Sequence, residues 1–392
     1  MGQDKIIAED ATAGDQFGIS VAVDENTCVV GACLDNGYGS AYVFTKNGET
    51  WTQQDKLIAD DAAAGDYFGG SVALSNNTCI VGASGDDSYT GSAYIFVRNG
   101  SNWSQQAKLV AADAAVGDCF GCAVAISGDT CIVGTWNAAD PGCAYIFTRT
   151  GDTWSQQDKL TADDVASGDY FGCSVAIHGN TCIVGVYGAY VESAYIFVRK
   201  NDVWTQQDKL VTDQSVAGEY YYISVAVDND TCAITAYGDD PGDVYIFTRK
   251  KSVWSRQAKL TSNDAAIGDY FGINMALNNH ICVVGACGNN DNGEDSGSAY
   301  IFRRISKVWR QQTKLTADDA AAGDQFGMGV AIGQNICAVG AWLDNSETGS
   351  AYLISIPDIF KMKYATTPRL CSQVVEDDVA YVYKINLLSN EI

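Results

Sequence analysis

The sequence predicts an all-β protein, a seven-bladed β-propeller with four-stranded blades. Three observations support this fold class: a motif that recurs every 50 to 55 residues, four β-rich runs after each copy of it, and abundant Gly with little Pro. A repeat of this period is typical of propellers, whose blades each contain four short strands. The 392 residues include 40 Gly and only 4 Pro, which suits many strands joined by tight turns.

The recurring motif reads Gly-Asp-x-Phe-Gly. Six intact copies and one decayed copy occur at Gly14–Gly18, Gly65–Gly69, Gly117–Gly121, Gly168–Gly172, Gly268–Gly272, Gly323–Gly327 and, decayed, Gly218–Tyr222. Each copy opens an alternating apolar run, and a second apolar run, an Ala-Tyr-x-Phe-type run and a Trp-x-Gln-Gln-x-Lys-Leu-type run follow. Polar turns separate these runs, so each repeat is predicted to form four antiparallel strands.

The two ends of the chain predict how the ring closes. A four-stranded blade cannot bury both of its faces alone, so neighbouring blades must stack in a closed circle. The seventh repeat reaches Ala351–Ile354 and then lacks the Trp-Gln-Gln run, whereas the chain opens with Gln3–Ile7, a similar run without a preceding blade. We therefore predict that residues 3–8 complete the seventh blade.

The predicted domain organisation is one propeller over residues 3–356 and a C-terminal tail over residues 357–392. The tail lies outside the repeat, but Val379–Tyr383 offers a strand that competes for the last blade. Whether the tail acts as a clasp or as a disordered appendage stays open at this stage.

Charge restricts the partners. Lys and Arg total 24 against 48 Asp and Glu, which gives a net charge of −24. Nucleic acid and anionic membranes offer no counter-charge, so neither is expected. No run approaches the roughly 18 apolar residues of a membrane span. Met1–Asp10 contains no apolar core, so no signal peptide is expected here. We expect the protein to be a monomer.

A family resemblance rests on Phe-Gly followed 14 residues later by Gly-Ala. Examples are Phe17-Gly18 with Gly31-Ala32 and Phe68-Gly69 with Gly82-Ala83. This pattern resembles the FG-GAP repeat of integrin α-subunit propellers over about residues 3–356. The resemblance implies a propeller whose ligands bind on one loop face, and an extracellular or cell-surface location.

Two features depart from that family pattern. No copy contains the Pro of Gly-Ala-Pro, and the Asp-rich calcium loop between first and second strands has no counterpart, because turns such as Val23–Thr27 are too short. We therefore expect no cofactor, and no calcium at the integrin-type position.

Two sets of loops open on the ligand face of such a propeller, and the first set joins one blade to the next. It contributes paired acids, namely Asp10 and Asp15, Asp61 and Asp66, Asp113 and Asp118, Asp164 and Asp169, Asp213 and Glu219, Asp264 and Asp269, and Asp319 and Asp324. A Gly-Asp before a strand often caps its own turn, and we favour this local role for the repeated acids.

The second set joins the second and third strands of each blade, and it is variable, which is where specificity arises. Its candidate ligand-binding residues are Asp35, Tyr38, Asp86, Tyr89, Trp136, Asp140, Tyr187, Tyr190, Tyr237, Asp239, Trp342 and Asp344. Acids mixed with aromatics suit a Lys or Arg side chain or a stacked sugar ring. The predicted function is a non-catalytic binding or adhesion module for a protein or glycan ligand. The alternatives are a propeller-fold glycoside hydrolase and a structural segment of a larger surface protein.

One loop offers a weak candidate metal site. Asn289, Asp291, Glu294 and Asp295 supply several oxygens around a Gly, as calcium loops do, but without their regular alternation or distant bidentate Glu.

Cysteine and histidine give no catalytic signature. Seven of the 14 Cys occupy one repeat position, too far apart to bridge, and are interpreted as buried apolar residues: Cys28, Cys79, Cys131, Cys182, Cys232, Cys282 and Cys337. Cys119 and Cys122 lack the second pair that a zinc site needs. Free thiols favour a reducing compartment and the sequons at Asn76, Asn99, Asn102 and Asn229 favour secretion, so location stays open. His178 and His280 are predicted surface turn residues, and no enzyme is predicted.

Overall fold

The structure is a computed structural model that describes residues 2–136, 141–187, 193–212, 223–236, 241–278 and 280–357. These residues form seven four-stranded antiparallel sheets, which confirms the predicted all-β seven-bladed propeller. The first strand of each blade contacts the first strands of both neighbouring blades around the whole ring.

In the first six blades the strand order in space follows the order in sequence, from the central axis outwards. The first blade contains β2 (Phe17–Asp24), β3 (Thr27–Ala32), β4 (Ser40–Asn47) and β5 (Thr50–Leu57). The second contains β6 (Phe68–Ser75), β7 (Thr78–Ala83), β8 (Ser92–Asn99) and β9 (Asn102–Leu109). The third contains β10 (Ala123–Ser127), β11 (Thr130–Gly134), β12 (Ala144–Thr150) and β13 (Thr153–Leu160). The fourth contains β14 (Phe171–His178), β15 (Thr181–Val186), β16 (Ser193–Lys200) and β17 (Val203–Val211).

The remaining blades follow the same plan. The fifth contains β18 (Val225–Asp228), β19 (Thr231–Ala236), β20 (Asp243–Lys250) and β21 (Val253–Leu260). The sixth contains β22 (Phe271–Asn278), β23 (Ile281–Ala286), β24 (Ser298–Ile305) and β25 (Val308–Leu315). The seventh contains β26 (Phe326–Ile332), β27 (Ile336–Ala341), β28 (Ser350–Ser355) and, on its outer edge, β1 (Gln3–Ile6).

Among the described residues, helical structure is confined to three short turns in second-to-third loops. They are a 3-10 turn at Asp35–Gly37 and one-turn segments at Asp86–Tyr89 and Asp344–Glu347. No helix among the described residues has the length and apolar character that a membrane span requires.

The hydrophobic core lies between adjacent blades. One cluster joins Val29 and Val43 of the first blade to Phe68, Val81 and Tyr94 of the second, and all five are fully buried. The Phe68 and Tyr94 rings meet edge to face at 5.5 Å between centroids. Because each sheet covers its neighbour, apolar residues on both faces of a blade are buried without helices.

The Phe-Gly and Gly-Ala motifs of the repeat contact each other at the seams between blades. A Cβ added to Gly31 of the first blade would lie 1.9 Å from the carbonyl oxygen of Gly69 in the second. Gly69 has a φ of +91°, which favours glycine. The Phe-Gly and Gly-Ala motifs therefore recur together because they form one close backbone contact between neighbouring blades.

The chain ends meet in the seventh blade. Strand β1 pairs antiparallel with β28, with Gln3 opposite Ile354 and Ile6 opposite Ala351. A parallel bridge between Phe17 and Gly349 connects the first blade to the seventh. The tail beyond residue 357, including Val379–Tyr383, lies outside the described residues.

The seam between the seventh and first blades lacks one hydrogen bond that five other seams have. The indole Nε1 of Trp103 donates to Gln54 of the preceding blade at 3.2 Å, and the same bond joins Trp154 to Gln106, Trp204 to Gln157, Trp254 to Gln207 and Trp309 to Gln257. Trp51 Nε1 is buried and has no partner within the described part of the chain. The outer strands that accept this indole hydrogen bond each have two consecutive polar residues at the accepting position. Strand β1 has a single glutamine, Gln3.

The seven repeated cysteines are fully buried, as interpreted from the sequence. Burial raises the pKa of Cys282 and Cys337 to about 12, so these thiols stay protonated and unreactive at neutral pH. Burial also raises the pKa of Cys119 in the C-x-x-C pair. His178 is the last residue of β14, with its Nδ1 3.1 Å from Asp228, and His280 lies in a turn, where it contacts Arg304.

Candidate functional site

The two loop sets form one surface, which we call the loop face. The Leu34 amide donates to the Asp15 carbonyl at 3.3 Å, and the equivalent bond joins Gly85 to Asp66 and Trp136 to Asp118. In these three blades the second-to-third loop is therefore fixed to the loop that enters the same blade. The placement of both sets on one side of the propeller follows the sequence prediction.

A lysine from the outer strand crosses between the two loop sets. In the first blade, Lys56 Nζ lies 2.6 Å from Asp10 Oδ2 and 2.7 Å from Asp35 Oδ2, and the Tyr42 hydroxyl donates to Asp35 at 3.1 Å. We call this arrangement the lysine clamp. The other described clamp pairs are Lys108 with Asp61 and Asp86, Lys159 with Asp113, Lys209 with Asp164, Lys259 with Asp243, Lys314 with Asp264 and Asp291, and Lys5 with Asp319 and Asp344.

The clamps assign a structural role to three predicted ligand-binding acids. Asp35, Asp86 and Asp344 are only 2%, 5% and 6% exposed, and each pairs with the lysine of its own blade. Asp344 also accepts a hydrogen bond from Ser350. Their carboxylates therefore face the lysine of their own blade, and these ion pairs hold the loops in place.

In the six entering loops that the structure describes, the second acid caps its own turn, which agrees with the local role favoured from the sequence. Asp66 accepts a hydrogen bond from the Ala63 amide at 2.6 Å, three residues earlier. Asp15, Asp118, Asp169, Asp269 and Asp324 make the same bond.

The clamps make stability depend on pH. Hydrogen bonds from Lys159 and Tyr145 lower the pKa of Asp113 below its ordinary 3.8. For Lys5, partial burial acts to lower the pKa, but hydrogen bonds to Asp319 and Asp344 outweigh it and raise the pKa above 10.5. A lowered carboxylate pKa stabilises the fold above pH 3.8, and a raised lysine pKa stabilises it below pH 10.5.

We expect the free energy of unfolding to fall as pH drops below 3.8, because six clamp carboxylates with lowered pKa must then be protonated. Burial raises the pKa of Asp66 and Asp324, which opposes this trend at two sites only. The free energy of unfolding should also fall as the pH rises above 10.5, because the clamp lysines then lose their protons. Urea unfolding at an ionic strength near 0.1 M, where charges more than about 10 Å apart are screened, measures this dependence. Stability that rises steadily below pH 3.8 would contradict the role of the clamps.

Three aromatic side chains meet on the loop face between the third and fourth blades. Trp136 follows β11, Tyr187 follows β15, and Tyr170 lies in the loop that enters β14. Ring centroids are 5.7 Å apart for Trp136 and Tyr170, 6.0 Å for Trp136 and Tyr187, and 5.3 Å for the two tyrosines. Trp136 is 41% exposed and both tyrosines are half-buried. We call Trp136, Tyr170 and Tyr187 the aromatic cluster.

The sequence prediction missed Tyr170, which is the variable residue of Gly-Asp-x-Phe-Gly. That position has a left-handed backbone in every described intact copy, with φ between 46° and 59°, and it places Tyr67 and Tyr270 on the loop face as well. The ring centroids of Tyr67 and Tyr89 are 6.2 Å apart, and Tyr89, a predicted ligand-binding residue, is 49% exposed. The available signal was the variation of x between Tyr, Gln and Cys inside an otherwise constant motif.

Of the other predicted ligand-binding residues, two are less exposed than Trp136 and four lie outside the described residues. Tyr38 is half-buried, and its carbonyl accepts the Phe68 amide of the next blade. Trp342 is half-buried and donates to Gln325 at 2.8 Å. Asp140, Tyr190, Tyr237 and Asp239 lie outside the described residues.

The predicted weak metal site finds no support in its hydrogen bonding. Asn289 is buried, donating to Asp269 and accepting from Ser298, and Asp291 pairs with Lys314 at 2.5 Å. Glu294 and Asp295 lie on the outside of the same loop. Within the described ranges, no group of three or more His, Cys, Asp or Glu is arranged to hold a metal ion.

A family model described as FG-GAP repeat matches the chain seven times, at residues 1–44, 51–96, 103–147, 154–197, 204–247, 254–302 and 309–354. These matches cover most of the chain, so the protein belongs to the FG-GAP repeat family, whose propellers suit binding or adhesion. No curated protein matches its sequence. Among solved structures it is similar to a chain in a crystal structure of the mitotic checkpoint complex, with a TM-score of 0.56 and 10% identity over 90% of this chain and 93% of that one. At that identity the similarity concerns the fold alone.

Proposed function

We propose that this protein is a non-catalytic binding module that recognises a protein or glycan ligand through its loop face. The aromatic cluster is the observation that carries the proposal. It is a contiguous group of three large rings, partly open to solvent, at a seam between two blades. With the clamp acids occupied by lysines, the cluster is the part of the loop face best suited to anchor a ligand.

The chemistry of the cluster fits both ligand classes. Trp and Tyr contribute large apolar area at low entropic cost and dominate the energetics of many interfaces. Their faces attract cations, and the apolar face of a sugar ring stacks on them in the same way. A net charge of −24 adds a field that favours a cationic protein segment over an anionic one.

The test begins with glycan and protein arrays probed with and without calcium. A ligand found there should bind the Trp136→Ala, Tyr170→Ala, Tyr187→Ala triple variant about a hundredfold more weakly, since anchor residues of this kind contribute about 2 kcal/mol or more. We expect the removal of calcium to have little effect, because the described residues lack a metal-binding cluster.

The matched control is Tyr270→Ala. Tyr270 occupies the same motif position as Tyr170 and is 44% exposed, but it belongs to the sixth blade. Its loss should change affinity by no more than a few-fold. Equal binding by the wild type and the triple variant would overturn the proposal.

No observation favours glycoside hydrolysis. Hydrolysis requires one carboxyl held protonated near a second carboxylate. The described clamp acids from the entering loops instead pair with lysines that lower their pKa. Asp66 and Asp324, whose pKa burial raises, each cap the turn of their own loop.

A further inference from the structure

Cations are distributed unevenly on this acidic protein. Seven lysines hold the clamps, and five arginines bind turns on the side opposite the loop face: Arg98, Arg149, Arg199, Arg249 and Arg304. Among the described residues, the exposed Lys and Arg outside the clamps all lie on the last hairpin of the fourth, fifth and sixth blades. They are Lys200, Lys250, Lys251, Arg256, Lys307 and Arg310, which we call the basic rim.

Exposed apolar side chains accompany these cations. Val203, Val253 and Val308 open β17, β21 and β25 and are 56%, 64% and 55% exposed. The first three blades carry polar residues at this position, namely Thr50, Asn102 and Thr153. Three neighbouring valines beside six cations form a mixed surface of the kind that marks interaction sites.

Acids are absent from the centre of the rim. Residues 248–260 and 303–315, which include β21 and β25, contain no Asp or Glu. The equivalent stretch of the first blade contains Glu49 and Asp55, and that of the third contains Asp152 and Asp158. Because charges are screened beyond about 10 Å at 0.1 M salt, the rim presents a local positive surface despite the net charge.

The edges of these blades are open to pairing. Within the described part of the chain, β21 and β25 each pair with one neighbour only, β20 and β24, so one edge of each faces outwards. Lysine on an edge strand often serves to block unwanted pairing. That role would apply to all seven blades, whereas the rim is confined to three of them.

We propose that the basic rim docks an acidic, extended segment of a partner polypeptide, which adds as a strand to the outer edge of β21 or β25. Backbone pairing along the edge would provide affinity, and the cations and valines would select acidic residues alternating with apolar ones. A polypeptide fits better than nucleic acid or a membrane because only a polypeptide can pair with the edge backbone. The rim lies away from the loop face, so this proposal stands apart from the proposed function.

The test uses the full chain and an eight-residue peptide of alternating Glu and Val, which matches the length of β21. A rim variant, Lys250→Thr, Lys251→Gly and Arg256→Gln, introduces the residues that the third blade has at these positions, Thr150, Gly151 and Gln156. The control variant, Thr50→Glu, Asn102→Glu and Thr153→Glu, changes the net charge by the same amount on the equivalent hairpins of the first three blades.

We expect the rim variant to bind the peptide about tenfold more weakly than the wild type, equivalent to about 1.4 kcal/mol, and the control variant to bind it normally. A peptide N-methylated at alternate bonds should not bind, since it cannot pair as a strand. Far-ultraviolet circular dichroism checks that both variants are folded.

Four outcomes would overturn the proposal. They are no binding of the Glu-Val peptide, an equal loss in both variants, undiminished binding of the N-methylated peptide, and tighter rim-dependent binding of duplex DNA or of vesicles with equal parts of phosphatidylcholine and phosphatidylserine.

Discussion

Replacement of Gly340 by alanine should cost about 3 kcal/mol of unfolding free energy, at the upper end of overpacking effects. Gly340 lies in β27 of the seventh blade, and an added Cβ would fall 1.9 Å from the carbonyl oxygen of Gly18 in the first blade. Both groups belong to backbone in paired strands, so neither can rotate away. The two blades must separate at the seam that joins the ends of the chain.

The control is Gly70→Ala, in β6 of the second blade. There the nearest atoms to an added Cβ are the Tyr67 carbonyl oxygen at 3.3 Å and the Cys33 Cβ at 4.0 Å, so the side chain can be accommodated with a small shift. Alanine also costs less chain entropy than glycine in a strand, so we expect a change below about 1 kcal/mol. Urea unfolding followed by tryptophan fluorescence measures both variants. Equal losses would show that the seam contact is not the cause.

Replacement of Lys5 by methionine should produce the second large effect. Lys5 Nζ lies 2.6 Å from both Asp319 and Asp344, and Asp344 is buried. Its loss leaves a buried carboxylate without a counter-ion. Removal of one partner of a buried pair costs about 3–5 kcal/mol, and the partial exposure of Lys5 reduces this to about 2–3 kcal/mol. Lys5 belongs to β1, which completes the seventh blade, so the outer edge of that blade should also become less stable.

Lys46→Met provides the comparison. Lys46 pairs at 3.7 Å with Glu49, whose side chain is 99% exposed, and such surface pairs contribute about 0–1 kcal/mol. Thermal unfolding should therefore separate the two variants clearly. Amide hydrogen exchange in β28 should rise for Lys5→Met and not for Lys46→Met. Unchanged exchange in β28 would argue against the anchoring role of the N-terminal strand.

The sequence was sufficient for the fold because the repeat encodes it locally. Phe68 and Gly69 mark the first strand of a blade, Gly31 marks the seam that it meets, and seven copies leave one arrangement that buries all faces. The missing outer strand of the last repeat, together with the strand-like start of the chain, pointed to residues 3–8 for the same reason.

The roles of the loop acids were harder to predict. Asp35 and Asp86 form the same pattern whether they bind a ligand or an internal lysine, and the lysine that decides between these roles lies about 20 residues later, in the outer strand. Tyr170 was missed because a single variable residue inside a constant motif shows its exposure only once the backbone conformation is known.

The overall composition also gave no indication of the basic rim. A net charge of −24 describes the whole chain, and it led to the expectation that nucleic acid and anionic membranes are not partners. Of the 20 lysines and arginines outside the tail, seven hold clamps and five bind turns. Only the fold shows that the exposed ones among the rest lie on three neighbouring blades.

Photo-crosslinking tests the assignment of the ligand to the aromatic cluster most directly. A ligand identified on the arrays, carrying a diazirine group, is irradiated with the full chain, and the modified peptides are mapped by mass spectrometry. Cross-links are predicted on the segments that hold Trp136, Tyr170 and Tyr187. Cross-links confined to turns on the opposite side, such as Asn76 and Asn77, with none on these segments, would contradict it.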